Sequence, residues 1–267
     1  MSNPTNETLN AAYKADEVLA HVVDKISNAE VINEPFPHFY IEEVFPEDFY
    51  NKLLETLPGG ALYKKWTDVG RVKEKQYSRR IQWYLEEEWM MDFPEEVRTF
   101  WLKFGDWFLG KELADTSMKK FEPTLTERFE GGTDSWPEVF PQAIFLRHQA
   151  DYYIGPHTDI PSKVVNILFY LPQDNNAEHI GTAVYVPEEE GFTDPGTKHY
   201  GFEGFNLLKT MPYKRNCAFA FVKTDNSWHG VEPLTENDSA LSTRDAIQYM
   251  VYDTPMRAPR KDRSELK

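Results

Sequence analysis

The chain has 267 residues with 44 acidic against 29 basic side chains, a formal charge of −15, and 40% hydrophobic residues including many rings. That apolar content excludes disorder for the bulk of the chain, and the negative balance argues against a protein whose main task is gripping a phosphate backbone. No run approaches 18 apolar residues, no charged-then-apolar leader opens the sequence, and the single thiol, Cys217, has no internal disulfide partner. The expectations are therefore no membrane span, no nucleic-acid partner and a cytoplasmic location.

In chain order, residues 1–30 place Leu9, Ala12, Val18, Leu19, Val22, Val23 and Ile26 near three- and four-residue spacing, which predicts an amphipathic helix acting as a prop (domain 1–33). Pro35 and Pro37 then forbid helix, and the aromatics around them predict an extended run. A second helix is expected from Pro46, with Phe49, Leu53, Leu54 and Leu57 on one face and Pro58-Gly59-Gly60 as its stop. Residues 71–83 are basic and aromatic in an acidic chain. They read either as a solvated strand edge or as a substrate-facing wall bearing Tyr77, Arg79, Arg80 and Trp83. A third helix is expected over about residues 94–113, where Phe100, Trp101, Phe104, Trp107 and Phe108 need a sheet to cover them.

From residue 142 the texture changes to short β-rich runs at 142–148, 164–171, 182–186, 205–211, 217–223 and 246–252, separated by turn clusters. Several strands without intervening helices predict a sandwich or barrel. Residues 256–267 hold five basic and two acidic residues and read as a flexible basic tail.

His157-Thr158-Asp159 follows the turn formers Gly155-Pro156. In extended backbone, residues i and i+2 point the same way, so an imidazole and a carboxylate converge. A second histidine from a distant strand would complete a two-histidine, one-carboxylate face, the donor set of non-haem Fe(II) oxygenases. His179 and His199 lie in polar loop segments, whereas His229 follows the apolar run 217–222; a strand fixes a ligand better than a loop, so His229 is the expected third ligand. Arg244 opens the last strand, 15 residues after His229, and an arginine facing a barrel interior needs a carboxylate or phosphate partner. Its competing reading is a salt bridge to Asp245 or another carboxylate.

These segments resemble the prolyl-4-hydroxylase-like branch of the 2-oxoglutarate/Fe(II)-dependent dioxygenases. The resemblance is carried by residues 153–159, Leu168-Phe169-Tyr170-Leu171-Pro172, Gly181-Thr182-Ala183-Val184-Tyr185, Trp228-His229-Gly230-Val231 and Arg244, with Pro35-Phe36-Pro37-His38-Phe39 upstream. It covers about residues 34–60 and 142–253 and is poor in 61–140. It implies a mainly β fold with helical support (α+β), a double-stranded β-helix or jelly-roll barrel (core 142–253) within a single domain, 34–255, flanked by N-terminal helices. It further implies Fe(II) on His157, Asp159 and His229, 2-oxoglutarate held through its distal carboxylate by Arg244 and Tyr170, ascorbate as reductant, and hydroxylation of an unactivated C–H bond. Arg147, ten residues before His157, stands where some relatives place a further cosubstrate-binding tyrosine. Arg244 lies farther from His229 than is usual in the family, a difference that an extra turn at residues 236–239 would absorb. The alternatives are a cupin-type metalloenzyme that does not use 2-oxoglutarate, and a binding protein with a vestigial barrel. The substrate is expected to be a small molecule or peptide. Residues 171–204 carry seven acidic side chains and one lysine. If that segment overhangs the site, it favours a neutral or cationic substrate over an anionic one.

Overall fold

The computed structural model describes residues 14–69, 75–130, 132–235 and 243–258. Leu9 and Ala12 of the first expected helix, the expected turn at 236–239 and most of the basic tail lie outside the described residues.

Helix α1 (Ala15–Asn28) buries Val18, Val22 and Ile26, the apolar stripe read from the sequence. Strand β1 (His38–Glu42) follows the proline-rich segment, and α2 (Glu47–Thr56) begins after Pro46 with two acidic residues in its first turn, where the helix dipole favours them. Strands β2 (Lys64–Lys65) and β3 (Arg80–Tyr84) precede four helices: α3 (Glu87–Met90), α4 (Glu95–Phe108), α5 (Lys111–Lys120) and α6 (Glu122–Arg128). The single helix expected over 94–113 is thus two, broken at Gly110, where an added Cβ would meet the Trp107 carbonyl oxygen at 2.9 Å.

The remaining strands are β4 (Phe140–His148), β5 (Ile154–His157), β6 (Lys163–Tyr170), β7 (Thr182–Pro187), β8 (Phe205–Met211), β9 (Cys217–Val222), β10 (His229–Val231) and β11 (Arg244–Tyr252). They form two antiparallel sheets, one in the order β1-β9-β6-β11-β4-β3-β2 and one in the order β5-β10-β7-β8. Among the described residues no strand pairs from one sheet to the other and each sheet keeps open edges, so the β part of the expected fold is two antiparallel sheets with no closed barrel.

Alternation along the central strands explains the layering. Val165, Ile167 and Phe169 of β6, with Ala218, Ala220 and Val222 of β9 and Ile247, Tyr249 and Val251 of β11, join the apolar faces of α1, α2, α4 and α5 in one core. Leu168, Tyr170, Phe219, Phe221 and Ala246 point the other way, onto Ile154, Val184, Met211 and Val231 of the small sheet. Both faces of the large sheet are therefore covered, by helices on one side and the small sheet on the other. Trp83, expected as a candidate substrate wall, belongs to the helix-side core; it is fully buried and stacks on Phe145 with ring centroids 3.9 Å apart.

Candidate metal centre

The small sheet places two of the three expected ligands. Strands β5 and β10 pair antiparallel with His157 opposite His229, and their rings lie 4.2 Å apart between centroids. Asp159 follows β5 with φ of +67°, a left-handed conformation that turns its carboxylate back toward the two rings. His157 Nε2 lies 3.8 Å from Asp159 Oδ1 and His229 Nε2 lies 3.6 Å from Oδ2, and one donor atom from each residue falls within 4.8 Å of the other two.

The rings are set for coordination. His157 Nδ1 donates to the Gly155 carbonyl at 3.0 Å and His229 Nδ1 donates to the Ser227 carbonyl at 2.9 Å. Each proton is thereby committed to Nδ1, and each Nε2 lone pair faces the carboxylate; this is the way second partners orient metal-binding histidines. Burial and the neighbouring His229 push His157 down to about 3, and burial lowers His229 as well, so both rings are neutral at physiological pH. Burial alone would raise Asp159, but the Lys163 ammonium and the two imidazoles hold it well below the usual carboxylate range. Two neutral imidazoles and one carboxylate, all inside the fold, suit a divalent transition metal such as Fe(II).

Sequence reasoning missed the groups that hold Asp159. Lys163, on β6, donates from Nζ to Oδ1 at 2.7 Å, and Asn166 donates from Nδ2 to Oδ2 at 3.2 Å. Each carboxylate oxygen keeps a lone pair for a metal. The signal was present: a lone Asn interrupts the apolar run Val164-Val165-Asn166-Ile167-Leu168.

The loop after β7 closes over the centre. The Asp194 carboxylate accepts from the Gly196 and Thr197 amides and the Thr197 and Tyr200 hydroxyls, while its carbonyl accepts from the Thr158 hydroxyl. Tyr200 N–H donates to the Pro156 carbonyl at 2.9 Å. This brings the His199 ring to 4.5 Å from that of His157 and into a hydrogen bond with the Tyr77 hydroxyl, although its polar loop context argued against a place at the site.

Arg244 is buried at the start of β11. Its Nε donates to the Ile180 carbonyl at 2.7 Å, its Nη1 to His148 Nδ1 at 3.0 Å and its Nη2 to the Thr182 hydroxyl at 3.1 Å. Tyr170 donates its hydroxyl to the same Thr182 oxygen at 2.9 Å, and its ring centroid lies 5.5 Å from the guanidinium. The structure thus brings Arg244 and Tyr170 together. The competing salt bridge to Asp245 is absent: Asp245 points to the opposite face and takes a two-pronged contact from Arg147, at 2.8–3.2 Å. That same contact removes Arg147 from the interior, because it lies opposite Asp245 across β4 and β11 while His148 lies opposite Arg244.

A cavity of about 890 Å3 opens beside the triad. Arg80, Tyr77 and residues 196–201 line it, so part of the basic stretch and part of the 171–204 segment do reach the site; none of the seven acidic residues of that segment is on the wall. Arg79 turns outward to Asp151 at 3.6 Å.

No family model and no curated protein matches the chain. Among solved structures it is similar to a prolyl-4-hydroxylase from Pseudomonas putida, at 11% identity and a TM-score of 0.44, over 89% of this chain and 100% of that one. It is similar also to an oxidoreductase of the 2OG-Fe(II) oxygenase family from Burkholderia pseudomallei (12%, 0.45, over 91% and 93%). A third is HygX from Streptomyces hygroscopicus, solved with nickel, 2-oxoglutarate and hygromycin B bound (11%, 0.42, over 80% and 82%).

Proposed function

We propose that this protein is a 2-oxoglutarate- and Fe(II)-dependent oxygenase that hydroxylates an unactivated C–H bond, with its two facing sheets as the leaves of a jelly roll. The observation that carries the reading is the pairing of a buried, tautomer-fixed His157–Asp159–His229 face with a second buried feature, the Arg244 guanidinium, which has three neutral hydrogen-bond acceptors and no carboxylate in ion-pair distance among the described residues. An uncompensated buried cation costs several kcal/mol, and the distal carboxylate of 2-oxoglutarate would compensate it.

In this reading His157, Asp159 and His229 hold Fe(II), leaving positions open on one side, and Arg244 with Tyr170 and Thr182 holds the cosubstrate. The metal and cosubstrate together supply the oxidising chemistry, with succinate and carbon dioxide as products. The chain contributes placement: Lys163 and Asn166 fix the carboxylate ligand, the backbone carbonyls of Gly155 and Ser227 fix the imidazoles, and the 194–201 loop covers His157. The substrate enters from the cavity side, where the lining residues present it to the open face.

Iron-loaded protein given 2-oxoglutarate, ascorbate and oxygen is expected to release succinate slowly even without substrate. Arg244→Met should raise the 2-oxoglutarate concentration for half-maximal release by at least about tenfold, the scale of one lost charge-assisted contact. An unchanged half-saturation would remove Arg244 from the cosubstrate site.

A further inference from the structure

The cavity beside the triad has the opposite electrostatic character from the chain as a whole. Arg80, Lys163 and Lys198 line it, and among the described residues the one carboxylate on its wall is the metal ligand Asp159. Lys163 is committed to that carboxylate at 2.7 Å. Arg80 and Lys198 remain facing the space, in a protein of charge −15.

Arg80 is built into its place. It is 7% exposed, its Nε donates to Gln82 Oε1 at 2.9 Å, and its guanidinium lies 4.1 Å from the centroid of the Trp66 ring. Among the described residues no carboxylate lies within ion-pair distance of it, whereas Arg79, Arg128, Arg147 and Arg215 each have one. Stacking on Trp66 and the Gln82 contact orient the fork without neutralising it, and a planar fork so held suits a carboxylate or phosphate. The wall around it is aromatic, with Trp66, Tyr77, Tyr153 and Tyr200. At the mouth the exposed Lys198 lies with its ammonium 4.4 Å from the Tyr200 ring centroid.

We propose that the substrate bound in this cavity is an organic anion, a molecule carrying a carboxylate or phosphate group that Arg80 binds, with its carbon skeleton against the aromatic wall and Lys198 at the entrance. The charge expectation drawn from residues 171–204 is thereby reversed, because that segment presents Lys198 to the cavity and keeps its acidic residues off the wall. The proposal rests on the oxygenase reading for what happens to the bound molecule, but its test needs no turnover.

Full-length, metal-free protein would be titrated calorimetrically with phenyl phosphate, phenylacetate, benzyl alcohol and benzylamine. At least one of the two anions is expected to bind ten or more times more tightly than the alcohol or the amine, and which of them binds separates phosphate from carboxylate recognition. Arg80→Gln should weaken that binding at least tenfold. Lys198→Glu, at an exposed position that leaves the core untouched, should weaken it at least threefold and serves as the independent variant should Arg80→Gln fold poorly. Binding of neither anion, equal binding of benzylamine, or anion binding unchanged in the folded variants would overturn the proposal. A 2-oxoglutarate titration of the iron-loaded protein under nitrogen gives the remaining arm: Arg80→Gln should leave its Kd within twofold, and a tenfold loss there would assign Arg80 to the cosubstrate instead. Failure of the oxygenase reading would show separately, as anion binding in a protein that releases no succinate.

Discussion

His148 stands between two arginines, opposite Arg80 on β3 and opposite Arg244 on β11. Burial, then Arg244 and Arg80, lower it well below its ordinary value of 6.5, and it accepts from Arg244 at Nδ1, so it is neutral in the fold with its proton on a buried Nε2 that has no hydrogen-bond partner among the described residues. The unfolded chain takes up a proton at this residue below about pH 6.5 and the folded chain does not. Stability contributed above that pH is therefore lost on acidification, by up to about 1.4 kcal/mol per unit. Urea midpoints between pH 6.5 and 5 should fall more steeply for the parent than for His148→Gln, by about 1 kcal/mol per pH unit; parallel slopes would mean that His148 charges freely in the fold. At this scale the sequence pointed to His157, Asp159 and His229 as one group, and the structure brings a donor atom of each within 4.8 Å of the others. It said less about Lys163, Asn166 and His199, whose roles depend on which partner the fold brings to them.

Among the elements, the longer strands were legible as β-rich runs bounded by turn clusters: the run expected at 205–211 is β8 itself, and that at 182–186 is β7 short by one residue. Strands β5 and β10, which carry the two histidines, are four and three residues long and contain Gly155, Pro156 and Gly230, too short and too irregular for any periodicity. The sequence motif singled out the two histidines but placed them after neighbouring strands, not within β5 and β10. The loop after β7 is likewise fixed by particular close approaches. Gly196 has φ of +97°, and a Cβ there would lie 1.5 Å from the Asp159 carbonyl oxygen. Gly196→Ala should cost about 2–4 kcal/mol from the clash and the left-handed backbone together and should weaken metal binding by displacing Asp159. Gly59→Ala, where nothing lies within 4 Å of the added Cβ, serves as the control and should leave metal affinity unchanged. Metal titrations and denaturant unfolding of both variants check this; equal behaviour would show that the loop does not bear on the ligand.

For the molecule as a whole, the fold separates tasks by face. Rings read from the sequence as needing a sheet, such as Phe100, Trp101, Phe104 and Phe108, cover one side of the large sheet, and the opposite side meets the small sheet and the centre. The sequence conveyed a β-rich second half and helices whose rings need a sheet, but not where the charge would lie, since net charge is blind to which side chains face a cavity. The chain's −15 is thus carried elsewhere while Arg80, Lys163, Lys198 and Arg244 gather around the interior. The central claim, that the triad and Arg244 together bind Fe(II) and 2-oxoglutarate, is tested most directly by adding 2-oxoglutarate to the Fe(II)-loaded protein under nitrogen and recording the visible spectrum. The parent should bind one Fe(II) per chain and develop a charge-transfer absorption that saturates with 2-oxoglutarate, and Asp159→Ala should lose both. Absence of stoichiometric iron, or iron binding with no spectral response to 2-oxoglutarate, would contradict it.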